Sequence, residues 1–99
     1  MHVISRKRLV VFGNGYPDAV TPLDSWYRLM KAGRFTNSGE MKATFATLDF
    51  VRGLAVFNIG GNRYRLVANV HYTTETNIGR VWVRHVFTHK EYDRWSNAT

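Results

Sequence analysis

The sequence predicts an α+β fold, with helices in its N-terminal half packed on an antiparallel sheet whose C-terminal part is a three-stranded meander. Three observations predict it. A Gly60-Gly61 pair separates two β-forming runs, at 54–59 and 62–72. A third alternating run follows at 79–87. Upstream, Leu23, Trp26, Tyr27 and Met30 recur at helical spacing.

Residues 1–4 form a short strand candidate, and Ser5 stands where a cap would open a helix near Arg6. Gly13-Asn14-Gly15 and then Tyr16-Pro17 oppose its continuation, so that helix should end near Phe12. Thr21 is placed to cap the second helix, with Pro22 in its first position and Gly33 as its stop. Residues 37–46 stay ambiguous, with Ser38 available to cap a short turn around Glu40-Met41-Lys42.

Gly-Gly between two strands signals a two-residue hairpin loop, because both central positions need positive φ. In that register Phe57 lies opposite Tyr64, and Ala55 opposite Leu66. Tyr64, Leu66, Ala68, Val70 and Tyr72 then share the face under the helices. Asn58, Arg63, Arg65, Asn69 and His71 share the other, which is basic and amide-rich. Thr88-His89-Lys90-Glu91 has the form of a capping box, opening a short last helix through Trp95.

The 99 residues suit one domain spanning 1–99. No apolar run approaches the ~18 residues of a membrane span, and no signal-peptide pattern follows the basic start, so a cytoplasmic protein is expected. There is no cysteine, which excludes disulfides, thiolate nucleophiles and Cys-based zinc sites. Fourteen Lys and Arg, ten of them Arg, oppose seven Asp and Glu, giving +7 and a pI near 10.3. Arginine's planar fork matches phosphate, so this balance points to nucleic acid as the partner.

Four histidines occur, at 2, 71, 85 and 89. His85 and His89 are four apart, but one falls in a strand and the other at a helix start, and no carboxylate completes a ligand set; no metal and no cofactor are expected. RNA can be cut without metal by a base for the ribose 2′-OH, an acid for the leaving 5′-oxygen and cations for the phosphorus charge. His, Arg, Lys and Tyr crowd into Arg84-His85-Val86-Phe87-Thr88-His89-Lys90-Glu91-Tyr92-Asp93. Each also has a plainer role. Thr88 and Glu91 are occupied by capping, Tyr92 and Trp95 could staple the last helix, Arg63 and Arg65 could be solvated edge charges, and Asn62 could serve the turn alone.

That segment, taken with Phe57-Asn58-Ile59-Gly60-Gly61-Asn62-Arg63-Tyr64-Arg65-Leu66, resembles the HigB family of messenger RNA interferases. His2-Val3-Ile4-Ser5, the stretch 23–31 and Lys42-Ala43-Thr44-Phe45 extend the likeness over nearly the whole chain. The resemblance implies a RelE-like fold, with helices against a curved antiparallel sheet. It implies a toxin that cuts mRNA on the ribosome and is neutralised by a HigA-type helix-turn-helix antitoxin, with no metal or organic cofactor. Carried over by position, Arg65 and Arg84 would clamp the scissile phosphate, His85 or His89 would act as base or acid, and Tyr92 would orient or donate a proton. Lys42, Arg63 and Asn62 would hold RNA. By strict alternation Arg84 and His85 point to opposite faces, so only one of them should enter the site. Two other functions fit the same fold: a basic RNA-binding module without chemistry, and a gyrase-inhibiting toxin of the ParE type.

Overall fold

The computed structural model describes residues 1–98. Along the chain run β1 (His2–Ile4), α1 (Lys7–Gly15), a 3-10 turn (Pro17–Ala19), α2 (Val20–Ala32), α3 (Ser38–Thr44), β2 (Asp49–Val51), β3 (Leu54–Ile59), β4 (Tyr64–His71), β5 (Arg80–Thr88) and α4 (His89–Asn97). The strands form one sheet in the order β1-β5-β4-β3-β2. β3, β4 and β5 are the expected meander. The sheet is mixed rather than wholly antiparallel, because β1 lies parallel to β5 with Val3 opposite Val81. Those two strands sit at opposite ends of the chain, so no tight turn dictates an antiparallel sense.

The β3–β4 loop corrects the expected register. Ile59 pairs with Tyr64, Phe57 with Leu66 and Ala55 with Ala68. Gly60 and Gly61 do take positive φ, 63° and 70°. Asn62 and Arg63 nevertheless stay in the turn, which the Arg63 N–H closes onto the Gly60 carbonyl at 3.4 Å. The slip is two residues, and a slip of two keeps every side chain on its face. Phe57, Leu66 and Ala68 are accordingly buried under α1, α2 and α3, together with Leu9, Leu23, Trp26, Met30, Met41 and Val81. Each large side chain so buried contributes roughly 1.5–3 kcal/mol.

The helix starts differ from expectation. Ser5 adopts φ 72° and turns the chain out of β1 instead of capping, and Arg6 precedes α1 without a side-chain cap. α1 does not stop at Phe12 but continues through Gly15. Gly13 is buried there, and a Cβ on it would come within 2.9 Å of Val20 Cγ2, so the glycine permits close approach of α2. α2 starts at Val20 rather than after Thr21, continuing directly from the 3-10 turn, and Gly33 ends it as expected. Pro22 still falls in the first turn, where a missing N–H costs nothing. Asn37, not Ser38, caps α3 by accepting from the Glu40 amide at 2.9 Å. β2 was not legible in advance.

The helices also occupy two faces, not one. Val56 and Val67 pair across β3 and β4 on the side away from Leu66, yet are 3% and 0% exposed. α4 packs on β4 and β5 there, with Trp95 against Phe87.

Gly79, beside β5, tests the packing. A Cβ on it would lie 2.5 Å from the His71 carbonyl oxygen and 2.7 Å from the Thr73 amide nitrogen, backbone atoms that cannot rotate away. Gly79→Ala is expected to cost about 2 kcal/mol in urea unfolding, whereas Gly15→Ala, with nothing within 4 Å, should cost nothing.

Candidate active site

β5 carries one residue more than β4 at its middle. Val67 pairs with His85, but the next β4 residue, Ala68, pairs with Val83, leaving Arg84 as the extra residue of a β-bulge. Before the bulge Val81 and Val83 face the helical core; after it Val86 does. The alternation therefore restarts one residue out of phase, and His85 and Phe87 turn to the face of Arg65 and Val67. Arg84 stays on that face as well, its Nε donating to Oδ1 of Asn69. The expectation that Arg84 and His85 diverge is thus corrected: alternation holds only where the ladder is regular.

Around these residues runs a continuous aromatic and cationic cluster. His85 stacks on Phe87, with centroids 4.8 Å apart and planes 15° apart. Trp95 sits 5.9 Å from His85 and 5.8 Å from Phe87. Tyr92 lies 5.9 Å from Trp95, and the Arg65 guanidinium 5.6 Å from the Tyr92 ring. Arg65 is also the cross-strand partner of Phe87. Asn62 holds this arginine in place, its Oδ1 accepting from Nη2 at 2.5 Å, while the Tyr64 carbonyl accepts from Nη1 at 3.1 Å.

α4 brings Tyr92 and Trp95 to the cluster and is fixed at both ends. The expected capping box is present: the Thr88 amide donates to Glu91 Oε1 at 2.8 Å and the Glu91 amide to Thr88 Oγ1 at 3.2 Å. At the far end Arg52 donates to the Trp95 and Ala98 carbonyls at 2.7 and 2.8 Å, with its guanidinium 4.4 Å over the Trp95 ring. Arg52 and Gly53 both take positive φ in the β2–β3 turn that delivers this contact.

His85 lies beside a groove of about 550 Å³ between α1 and β5, lined also by Lys7, Arg8, Arg84 and Phe87. Partial burial, and then the charges of Arg8 and Arg84, hold the His85 pKa below the ordinary 6.5. At neutral pH its imidazole is uncharged and free to accept a proton. His89 stands apart from this stack on the first turn of α4. Its Nδ1 is 3.2 Å from Asp93 Oδ2, which orients the ring on the helix surface.

Two expected RNA-holding residues are not gathered into the cluster. Arg63 lies in the turn, where strand alternation does not apply, and pairs with Asp18 Oδ2 at 2.8 Å. That carboxylate also accepts from the Tyr64 hydroxyl at 2.5 Å, and this bond, with lesser help from Arg63, holds its pKa below the usual range. Lys42 is exposed on α3, whose Met41 is buried in the helical core, and so belongs to the layer opposite the cluster. Sequence reasoning put Asn69 on this face without giving it a role, and missed Phe87, Arg8, Arg52 and Asp93 as neighbours of the site. Of these only Asp93 left a local signal, four residues after His89 on a helix. Among the described residues no group of three or more His, Asp or Glu side chains is placed to hold a metal ion.

The profile of the HigB toxin, described as the RelE-like toxic component of a toxin–antitoxin system, matches residues 19–95. The chain belongs to the HigB toxin family. Its membership makes an antitoxin its partner by class. The HigB-family chain is 36% identical over 96 residues to the mRNA interferase toxin HigB of Escherichia coli K12, a match covering 94% of this chain and 88% of that protein. It is similar at the same level to the mRNA interferase HigB of Shigella flexneri. To the HigB of Escherichia coli O6:H1 it is 31% identical, over 95% and 90% of the two chains.

Because the capping box fixes where α4 begins, Thr88→Ala should lower stability by about 1 kcal/mol. Amide hydrogen exchange in α4 should quicken before that in β4.

Proposed function

We propose that this chain is an mRNA interferase, a metal-independent endoribonuclease whose reaction takes place on the face shared by Arg65, Arg84, His85 and Tyr92. The bulge that turns Arg84 and His85 together onto that face is the observation that carries the reading. Similarity to proteins named mRNA interferases over 94–95% of this chain supports it.

In this reading Arg65 and Arg84 hold the non-bridging oxygens of the scissile phosphate. Neutral His85 takes the proton of the ribose 2′-OH. The 2′-oxygen attacks phosphorus, the P–O5′ bond breaks, and the products are a 2′,3′-cyclic phosphate and a 5′-hydroxyl end. The leaving oxygen needs a proton, and Tyr92, beside the Arg65 cation, supplies it. His89, three residues earlier and so adjacent on the helix surface, is the other candidate donor. Asn62 acts through Arg65, which it holds in place. The substrate is messenger engaged on the ribosome in the cytoplasm, and a helix-turn-helix antitoxin of the HigA type neutralises the toxin.

Brief induction of the chain alone, followed by mapping of transcript ends, should reveal new 5′-hydroxyl ends inside coding regions. DNA breaks with intact messenger would instead favour gyrase inhibition, and RNA binding without new ends would favour a module without chemistry. His85→Gln and Arg65→Gln should each slow cutting by about 100-fold or more.

The pH dependence follows from His85. The base must be neutral, so cutting falls as pH drops through its folded pKa, which lies below 6.5. The acid limb of the rate profile should therefore lie below pH 6.5. Arg84→Gln, which removes one of the cations that lower this pKa, should move the limb upward. Of Tyr92→Phe and His89→Ala, the variant that loses the alkaline limb identifies the acid.

A further inference from the structure

On the N-terminal side of the bulge the same face of β5 continues past every residue the proposed reaction uses. Trp82 stands there, with Asn69 opposite it on β4 and Ile4 opposite it on β1. The Arg80 guanidinium lies 5.2 Å from the Trp82 ring centroid, and the His71 ring meets the indole edge-on at 5.1 Å. Trp82 is half-buried, while Arg80, His71 and Arg84 are exposed.

This tryptophan does not serve the helical core. Its neighbours Val81 and Val83 do that from the opposite side of the strand, at 0% and 1% exposure. β1, β4 and β5 carry no Asp or Glu at all. Among the described residues the ion pairs engage Arg28, Arg63 and His89, not Arg80 or Arg84. An indole between unpaired cations, on a strand surface without carboxylates, fits a single nucleic-acid strand, since every base has a face that can stack and every linkage a charge to meet.

We infer that Trp82, with Arg80 and His71, forms a second RNA subsite that takes one unpaired nucleobase of the strand being cut. The inference rests on the reading of the chain as an RNA-cutting toxin and adds where the strand runs. Phe87 follows Trp82 by five positions, about 16 Å along a strand, so the two subsites hold different nucleotides. Arg84, between them, supplies positive charge along the path. The strand lies lengthwise on β5, with one base anchored on Trp82 and the scissile linkage beside His85 and Arg65.

The test measures binding of the full chain to a single-stranded 2′-O-methyl RNA oligonucleotide, which cannot be cut, at several salt concentrations. Trp82→Ala and Trp82→Leu should each weaken binding about tenfold, and Trp82→Phe should restore most of it, because leucine keeps bulk and phenylalanine keeps a π face. The slope of affinity against salt should be unchanged in the Trp82 variants and reduced by about one in Arg80→Gln. Cutting by Trp82→Leu should show a raised KM with kcat retained. Thermal melts confirm that the leucine and phenylalanine variants are folded. Wild-type binding by a folded Trp82→Leu, or no binding by the wild-type chain at low salt, overturns the inference while leaving the interferase reading to its own transcript-end test. Loss of antitoxin affinity with RNA binding intact would make the patch a protein surface, and overturn it equally. Binding through Trp82 by a chain that produces no transcript ends would retain the subsite and sink the nuclease.

Discussion

One irregularity in one ladder organises the functional face. Arg84 is a residue too many for β4, and the alternation of β5 shifts by one at that point. Before the shift β5 presents Val81 and Val83 to the helices; after it, Val86. A regular strand with the same residues would either put His85 into the apolar layer or withdraw Val83 from it. The bulge avoids both at the cost of a locally broken ladder, and it aims two consecutive polar side chains at one surface. Asn69 stabilises that arrangement by accepting from Arg84.

The second constraint is α4, which makes the face a site rather than an exposed sheet. It packs on β4 and β5 over the face away from the helical core, places Trp95 against His85 and Phe87, and brings Tyr92 beside Arg65. Partial removal of His85 from water follows from this covering, and with Arg8 and Arg84 nearby it keeps the imidazole neutral. α4 is only nine residues long and would be marginal alone. Its capping box and the Arg52 clamp lie at its two ends, so the positions of Tyr92 and Trp95 depend on both the strand before it and a turn distant in sequence.

Much of this was legible in the sequence because the signals were local. The helical period of Leu23, Trp26 and Met30, the capping box at Thr88 and the glycine pair at the hairpin each depend on a few adjacent residues. Face assignment survived a wrong loop length because an error of two preserves parity. What stayed illegible depends on partners far along the chain. The Gly13 interruption looked like a helix breaker, since nothing nearby shows that Val20 packs against it. The parallel docking of β1 and the folding of α4 onto the second face likewise leave no local trace. The bulge was hidden for the same reason: an extra residue is visible only against the strand that pairs with it. That is why Arg84 and His85 could not be placed together; Arg63 escaped for a different reason, because it belongs to the turn and not to the strand whose alternation was applied to it.

The proposed reaction requires Arg65 and Arg84 to meet a single phosphate, though they come from different strands. Single-turnover cutting of one RNA by wild type, Arg65→Gln, Arg84→Gln and the double variant measures this directly. Two groups gripping the same linkage should be coupled, so the double variant should lose clearly less than the product of the single losses. Independent losses that simply multiply, or a silent Arg84→Gln, would show that the bulge does not build a common site.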